Sequence, residues 1–536
     1  MYNDQKIWIG DANGEKICIV PKMANRHGLI AGATGTGKTV TLKVLAESFS
    51  DAGVPVFLAD VKGDLAGMCR PGQDSADMQQ RITDFKLDSC GFTYQSYPSV
   101  FWDIFGKAGI PLRTTISEMG PLLLSKLMDL NDTQSDIMSI IFKIADDQDL
   151  LLIDTKDLKA LLQYVSENNK DFALEYGNIA KQSIGAILRS LVALESQGAD
   201  QFFGEPALNL VDWFSTDIRG KGTINILDCQ VLISNPSMYA TFLLWMMSEL
   251  FETLPEVGDM DKPRMVFFFD EAHLLFKDIS KVLQEKIEQV VKLIRSKGVG
   301  IYFITQNPKD IPDAVLSQLG NKIQHALRAY TPAETKALKA AANAFRPNPD
   351  FDTQEVLTAL GTGEALISVL DEKGIPGIVQ RCRILPPQSL MGPISDEERT
   401  KEINQSNLSL RYSQMIDRDS AYEFFQRHNE QAALAAEEEK AAKAKAKEDE
   451  KAAKIKAMEE AKAEKQRAKD AEKAAAKKSK AVKSGVSSVA KTAGGTIGRE
   501  IGNAIGKSVG GSFGKKLGGN LGASLGRNIL GTFLKF

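Results

Sequence analysis

A short apolar run, His27–Ala31, leads into Gly32, Ala33, Thr34, Gly35, Thr36, Gly37, Lys38 and Thr39, and a helical pattern follows. The eight residues satisfy G-x-x-x-x-G-K-[ST] in the setting that motif needs, after a strand and at the start of a helix. Glycines there let backbone N–H groups face an anion. A helix beginning at the same point adds the positive end of its dipole. This feature constrains the fold more than any other, because the strand must lie in a sheet whose neighbours are also followed by helices.

The rest of the chain supplies those neighbours. Short apolar runs recur at 54–60 (VPVFLAD), 223–228 (TINILD), 264–271 (RMVFFFDE), 300–306 (GIYFITQ) and 322–328 (KIQHALR), separated by helical stretches. Strands spaced by helices predict βαβ units and a mainly parallel sheet, an α/β class. Two further runs, KIWIG and KICIV, flank DANGE and predict a hairpin in residues 1–25. Residues 111–199 are helical in pattern and read as an insertion into a core made of 26–110 and 200–390. A helical extension, 391–431, completes the globular part.

Two compositional zones follow. Residues 432–484 are nearly all Ala, Lys and Glu, which predicts a solvated helical spacer without a coiled-coil seam. Residues 485–536 repeat glycine every fourth position from Gly494 to Gly526, with Ile497, Ile501, Ile505, Val509, Phe513, Leu517, Leu521 and Leu525 just before them. Small residues at that spacing let helices approach closely. The basic side chains also suit anionic lipid. The tail therefore fits either self-association or attachment to a membrane surface.

Charge is divided unevenly. Residues 432–480 carry 15 basic against 11 acidic side chains and residues 481–536 carry 8 against 1, so residues 1–431 hold −14 of a net −3. An acidic body excludes bulk charge as a nucleic-acid signal; such a surface must be a local patch. No apolar run reaches 18 residues, the N-terminus has no leader pattern, and the five cysteines are scattered. These features predict a cytoplasmic chain, peripheral to membranes at most, with no zinc or disulfide framework.

The chemistry-bearing residues cluster at strand ends. Lys38 suits the β- and γ-phosphates of ATP, and the Thr39 hydroxyl suits Mg²⁺. Asp270 and Glu271 end an apolar strand; Asp270 suits the metal's outer ligands, and Glu271 suits a general base for water. Gln306 ends the next strand and suits a γ-phosphate sensor or a water-orienting group. Asp60 ends another, with a turn role equally open. Arg26 and Arg295 each precede a strand, so both are expected at the opposite sheet edge. There they suit either a neighbouring subunit's nucleotide or local ion pairs. Arg328 is placed on the nucleotide side as a weaker candidate, and His273 reads as a packed or capping residue.

NRHGLIAGATGTGKT, VFFFDEAHLL, LIRSKGVGIYFITQNP and QLGNKIQHALRA together resemble the HerA–FtsK superfamily of P-loop motor ATPases, in its bacterial HerA-like group. The resemblance covers roughly residues 5–390 and includes the 231 residues between Lys38 and Asp270. It implies a RecA-like core in a hexameric ring, ATP and Mg²⁺ between subunits, and DNA as a sequence-nonspecific partner. It carries Lys38, Thr39, Asp270, Glu271 and Gln306 to catalytic positions, and Arg26 and Arg295 to the family's arginine positions. Only about 25 residues precede the phosphate loop, so docking of a companion nuclease through an N-terminal barrel is doubtful. A DNA translocase or helicase is the implied function. The alternatives are a membrane-associated ATPase that moves protein or another polymer, and a nucleotide-dependent assembly protein.

Overall fold

The computed structural model describes residues 1–258, 260–277 and 281–482. Their thirteen strands are β1 (Tyr2–Asn3), β2 (Lys6–Ala12), β3 (Glu15–Ile19), β4 (Gly28–Ala31), β5 (Val56–Asp60), β6 (Ser99–Asp103), β7 (Ile110–Pro111), β8 (Ile224–Asp228), β9 (Met265–Phe269), β10 (Val299–Thr305), β11 (Asn321–His325), β12 (Glu364–Ser368) and β13 (Gln380–Ile384). They form one sheet in the order β1-β2-β13-β12-β11-β4-β10-β9-β5-β8-β6-β7, with β3 paired to β2.

The strands from β11 through β4, β10, β9, β5, β8 and β6 to β7 run parallel. Every residue of β4, β5, β8, β9 and β10 is buried. A parallel strand is covered by helices on both faces, so its sequence is continuously apolar rather than alternating. Alternate side chains still separate to opposite faces. Val266, Phe268, Tyr302 and Ile304 join the core beneath the helix Lys38–Asp51. There Phe49 meets Phe268 and Tyr302 at centroid distances of 6.2 and 6.0 Å. Phe267, Phe269, Ile301 and Phe303 join the other core. That core also holds the helix Pro236–Thr253 and the helices of 116–195.

The helices within residues 111–199 run Ile116–Leu127, Asp132–Asp147, Thr155–Glu167, Asn169–Tyr176 and Lys181–Glu195, with a short turn at Ala199–Phe202. Three begin with reciprocal capping boxes, at Thr115/Glu118, Asn131/Gln134 and Asp154/Asp157. Each box satisfies two backbone N–H groups that a helix start leaves open.

The hairpin β2–β3 does not stand apart from the core. β2 pairs antiparallel with β13, which pairs with β12, which pairs with β11, so the hairpin is the far edge of the sheet that holds β4. Beyond β13 the chain crosses the helix Lys38–Asp51. Glu47 accepts hydrogen bonds from the backbone N–H groups of Gln388 and Ser389, at 2.8 and 3.0 Å. Lys43 donates to the Leu390 carbonyl at 2.7 Å. The helix Asp396–Gln405 then brings Arg399 to Asp228 at the end of β8, 3.0 Å away.

The compact unit ends at Ala433. The helix Ala421–Val482 continues into the second unit, where residues 434–475 are exposed throughout. Its pairs Glu439–Lys443 and Glu450–Lys454 have i,i+4 spacing, which supports this exposed stretch of helix where no packing does. The glycine repeat, 485–536, lies outside the described residues, and so does any self-association or membrane role for it. Among the described residues no helix is long and apolar enough to cross a membrane.

Candidate nucleotide-binding site

The turn after β4 is held by both neighbouring strands. Gly32 N donates to the carbonyl of Thr305, the last residue of β10, at 3.3 Å, and Ala33 N donates to the Ala326 carbonyl just beyond β11 at 2.9 Å. Gly32 has φ +152°, and a Cβ there would lie 2.5 Å from the His325 Cβ. Any side chain at 32 would therefore push the loop off its support. Inside the loop Thr36 Oγ1 donates to the Ala33 carbonyl at 2.7 Å. Lys38, the first residue of its helix, folds back so that Nζ donates to the carbonyls of Gly32 and Ala33 at 2.6 and 3.0 Å. The ammonium lies within the space the loop encloses, bonded only to neutral acceptors. Burial pulls its pKa below the usual lysine range, against the opposing pull of Asp270 and Glu271.

Across from the loop, β9 delivers two carboxylates. Asp270 is half-buried, and desolvation of its carboxyl pushes it up to about 6, with the Glu271 charge adding to the rise. Its Oδ1 accepts from Glu271 N at 2.9 Å, and Tyr239 donates its hydroxyl to the Asp270 carbonyl at 2.5 Å. Glu271 has φ +48°, a left-handed backbone that side-chain-bearing residues rarely adopt. The next residue is pinned, because Ala272 N donates to the Ile304 carbonyl at 2.9 Å. Glu271 Oε2 is buried with no hydrogen bond among the described residues, and His273 Nδ1 stands 3.3 Å from it. A strained backbone and an unsatisfied carboxylate oxygen at one residue mark a site held for something other than stability.

Lys38, Thr39, Asp270 and Glu271 line one cavity of about 380 Å³, with Thr34, Gly35, Gly37, Lys62, Asp64 and Thr362 also on its wall. A cation and backbone donors on one side face carboxylates on the other. That donor set suits a polyphosphate whose charge is shared between the lysine and a divalent ion.

The family model for the HerA-like C-terminal part of helicases matches residues 5–516. The chain belongs to the HerA-like helicase C-terminal family. Among curated relatives, the DNA double-strand break repair helicase HerA of Sulfolobus acidocaldarius is 22% identical over 352 residues, 64% of this chain and 62% of that protein. The protein of the same name from Sulfurisphaera tokodaii is 22% identical over 382 residues, 68% of this chain and 67% of that protein. The chain thus spans 62% and 67% of the lengths of those relatives. Among solved structures, VirB4 of Thermoanaerobacter pseudethanolicus is 16% identical, covers 72% of this chain and 97% of its own, and has a TM-score of 0.46.

In this HerA-like chain the remaining candidate residues fall at the two edges of the sheet. Gln306 follows β10, between β4 and β9, at the sheet edge that carries the cavity. It is exposed, makes no hydrogen bond among the described residues and is not on the cavity wall. Arg26 and Arg295 lie at the other edge, before β4 and β10. They are close neighbours there, since Asn25 Nδ2 donates to the Arg295 carbonyl at 3.5 Å. Arg26 is roughly 20 Å of extended chain from Gly32, at about 3.3 Å per residue. Arg328 is exposed and donates to the Thr358 carbonyl at 2.5 Å. Asp60 is a turn cap, accepting from Gly63, Asp64 and Leu65 N–H groups at 2.7, 3.2 and 3.1 Å.

Lys62, Asp64 and Thr362 are the polar wall residues that the motifs do not include. The polar run after β5, DVKGDL, was a visible signal for the first two. Thr362 had none, because it reaches the cavity only through the pairing of β12 with β11.

Proposed function

We propose that this chain is an ATP-hydrolysing motor of the HerA-like type that translocates on or unwinds DNA. One observation carries the reading: Lys38 and Thr39 face Asp270 and Glu271 across a single cavity. Lys38 would exchange its two carbonyl acceptors for β- and γ-phosphate oxygens. The backbone donors of 33–39 would hold the same phosphates without moving. The Thr39 hydroxyl and the Asp270 carboxylate would hold Mg²⁺, directly or through water. Bound there, Mg²⁺ supplies charge neutralisation between the β- and γ-phosphates. Glu271, with one oxygen unsatisfied, would accept a proton from the attacking water. His273, 3.3 Å from that carboxylate, would orient it.

Arg26 and Arg295 are too far along their strands to serve their own subunit's γ-phosphate. We place them against a neighbour's nucleotide in a ring, of hexameric size by family likeness. DNA contact would be mainly to phosphates and so without sequence preference. The relatives' name, DNA double-strand break repair helicase, supports DNA as the polymer.

The test is ATP hydrolysis with and without duplex and single-stranded DNA across a salt series, beside Glu271→Gln. Several-fold stimulation that fades as salt rises, and turnover abolished in the variant, is the expected result. Hydrolysis indifferent to both DNA forms would overturn DNA as the cargo. Full turnover in Glu271→Gln would overturn the assignment of the base.

A further inference from the structure

The strand order gives the nucleotide cavity a direction. Asp270 and Glu271 follow β9, two strands from β4 on one side. Thr362 precedes β12, two strands from β4 on the other. With the γ-phosphate end at the carboxylates, the rest of a bound nucleotide must leave toward Thr362. Thr362 also lines a second cavity of about 310 Å³. That volume sits at the low end of the range for small-molecule sites.

The second cavity lies against the helix Ala76–Asp84 and the loop 361–364. Its charges are not equal. Asp84 is engaged by Arg383 at 2.8 Å, and Glu364 by Arg381 at 2.8 Å and by Gly361 N at 2.8 Å. Arg81 is different: it is half-buried, donates only Nη1 to the Ile384 carbonyl at 3.1 Å, and has no ion pair among the described residues. Asp77, also on this wall, has no hydrogen-bond or ion-pair partner among the described residues and is exposed.

Arg81 is tied to the phosphate loop through one glycine. Gly363 N donates to the Thr36 carbonyl at 3.1 Å. A Cβ on Gly363, where φ is +79°, would lie 2.8 Å from Arg81 Nη2, and a Cβ on Gly37 would lie 3.2 Å from Gly363 N. Joined through covalent bonds of about 1.5 Å, these contacts put Arg81 within about 10 Å of the Gly37 Cα. That is the reach of a nucleoside from the phosphate to which it is attached.

We infer that the cavity beside Thr362 is the subsite for the nucleoside of the bound triphosphate, with Arg81 as its main contact. The planar guanidinium, held at one end by the Ile384 carbonyl, offers a face to the base and free N–H donors to base or ribose. Asp77 is placed at the rim to accept from ribose hydroxyls. Contacts of this kind recognise a nucleoside without strongly selecting its base. The inference rests on the proposal that residues 32–39 bind ATP.

Binding of ATP and of inorganic tripolyphosphate to the full chain, with Mg²⁺, separates the two ideas. Arg81→Ala and Gln80→Trp are the variants, the second placing bulk in the second cavity at an exposed position that does not line the first. The expected result is a loss of ATP affinity of about tenfold, equivalent to about 1.4 kcal/mol, with tripolyphosphate affinity unchanged. That unchanged affinity also reports an intact phosphate loop. ATP affinity within twofold of the parent in both variants, while tripolyphosphate binds normally, would overturn the subsite. Failure of the parent protein to bind either ligand would instead overturn the phosphate-loop reading, and the subsite with it.

Discussion

The hydroxyl of Thr41 and Nε2 of His325 lie 2.9 Å apart, joining the first turns of the phosphate-loop helix to the end of β11. His325 Nδ1 stands 2.9 Å from the Glu364 carbonyl, which can only accept. Nδ1 therefore carries the proton, and Thr41 donates to Nε2. His27 is the opposite tautomer: Ile301 N donates to its Nδ1 at 3.0 Å, so Nε2 donates to the Val291 carbonyl at 2.8 Å. Each ring uses both nitrogens while neutral, and protonation would set a donor against a donor.

Burial lowers both histidines to about 4 from the ordinary 6.5. Between those values the unfolded chain binds protons that the folded chain does not, so stability is lost as pH falls from 6.5 toward 4. Asp60 runs the other way, raised by burial from 3.8 to about 6, so its contribution is full below 3.8 and lost as pH rises through 6. The urea midpoint of the parent alone mixes the two. The difference between parent and His325→Gln isolates the histidine, and it should narrow by about 2 kcal/mol from pH 7 to pH 4.5. A difference constant with pH would contradict the neutral, bonded ring.

Arg26 and Arg295 share the sheet edge away from the phosphate loop. Arg26→Ala and Arg295→Ala should keep ATP affinity and lower turnover about a hundredfold or more, as for arginines that stabilise a transferring phosphoryl group. Mixing Arg295→Ala with Glu271→Gln should recover part of the activity, because each supplies what its neighbour lacks. No recovery, with mixed assemblies demonstrated, would show that Arg295 serves no neighbour's site.

The pair Arg399–Asp228 is nearly enclosed, with side chains 11% and 8% exposed. Arg399→Met leaves Asp228 buried without its cation and should cost about 3 kcal/mol in denaturant melts. Lys454→Ala breaks an exposed pair whose side chains are 71% and 66% exposed, and should change stability by less than about 0.5 kcal/mol. Equal effects would mean that burial does not govern these pairs.

Gly28 begins β4 beneath the Tyr302 ring. A Cβ there would lie 2.3 Å from two ring carbons and 3.1 Å from the Asn321 carbonyl oxygen. Tyr302 is wholly buried and cannot swing aside. Gly28→Ala should destabilise by about 2 kcal/mol or more. A neutral result in the same melts would show that β4 and β10 can separate slightly at no cost.

The sequence by itself determined the central layer and the residues at its ends. β4, β5, β8, β9 and β10 are legible because a strand buried on both faces must be continuously apolar, and Lys38, Thr39, Asp270 and Glu271 stand where such runs stop. Strands outside that layer, β7, β12 and β13, were not legible. β13 shows single buried residues between exposed ones, β7 is two residues long, and β12 carries a half-buried glutamate at its start. Nor could local pattern show that the N-terminal hairpin closes onto β13. Only the tertiary structure brought Lys62 and Thr362 to the phosphate loop, set Arg81 and His325 near or behind it, and left Gln306 off the cavity wall. Which strand end faces which depends on sheet order. That order is decided by the simultaneous burial of two helical layers, a nonlocal balance that no single stretch of chain contains.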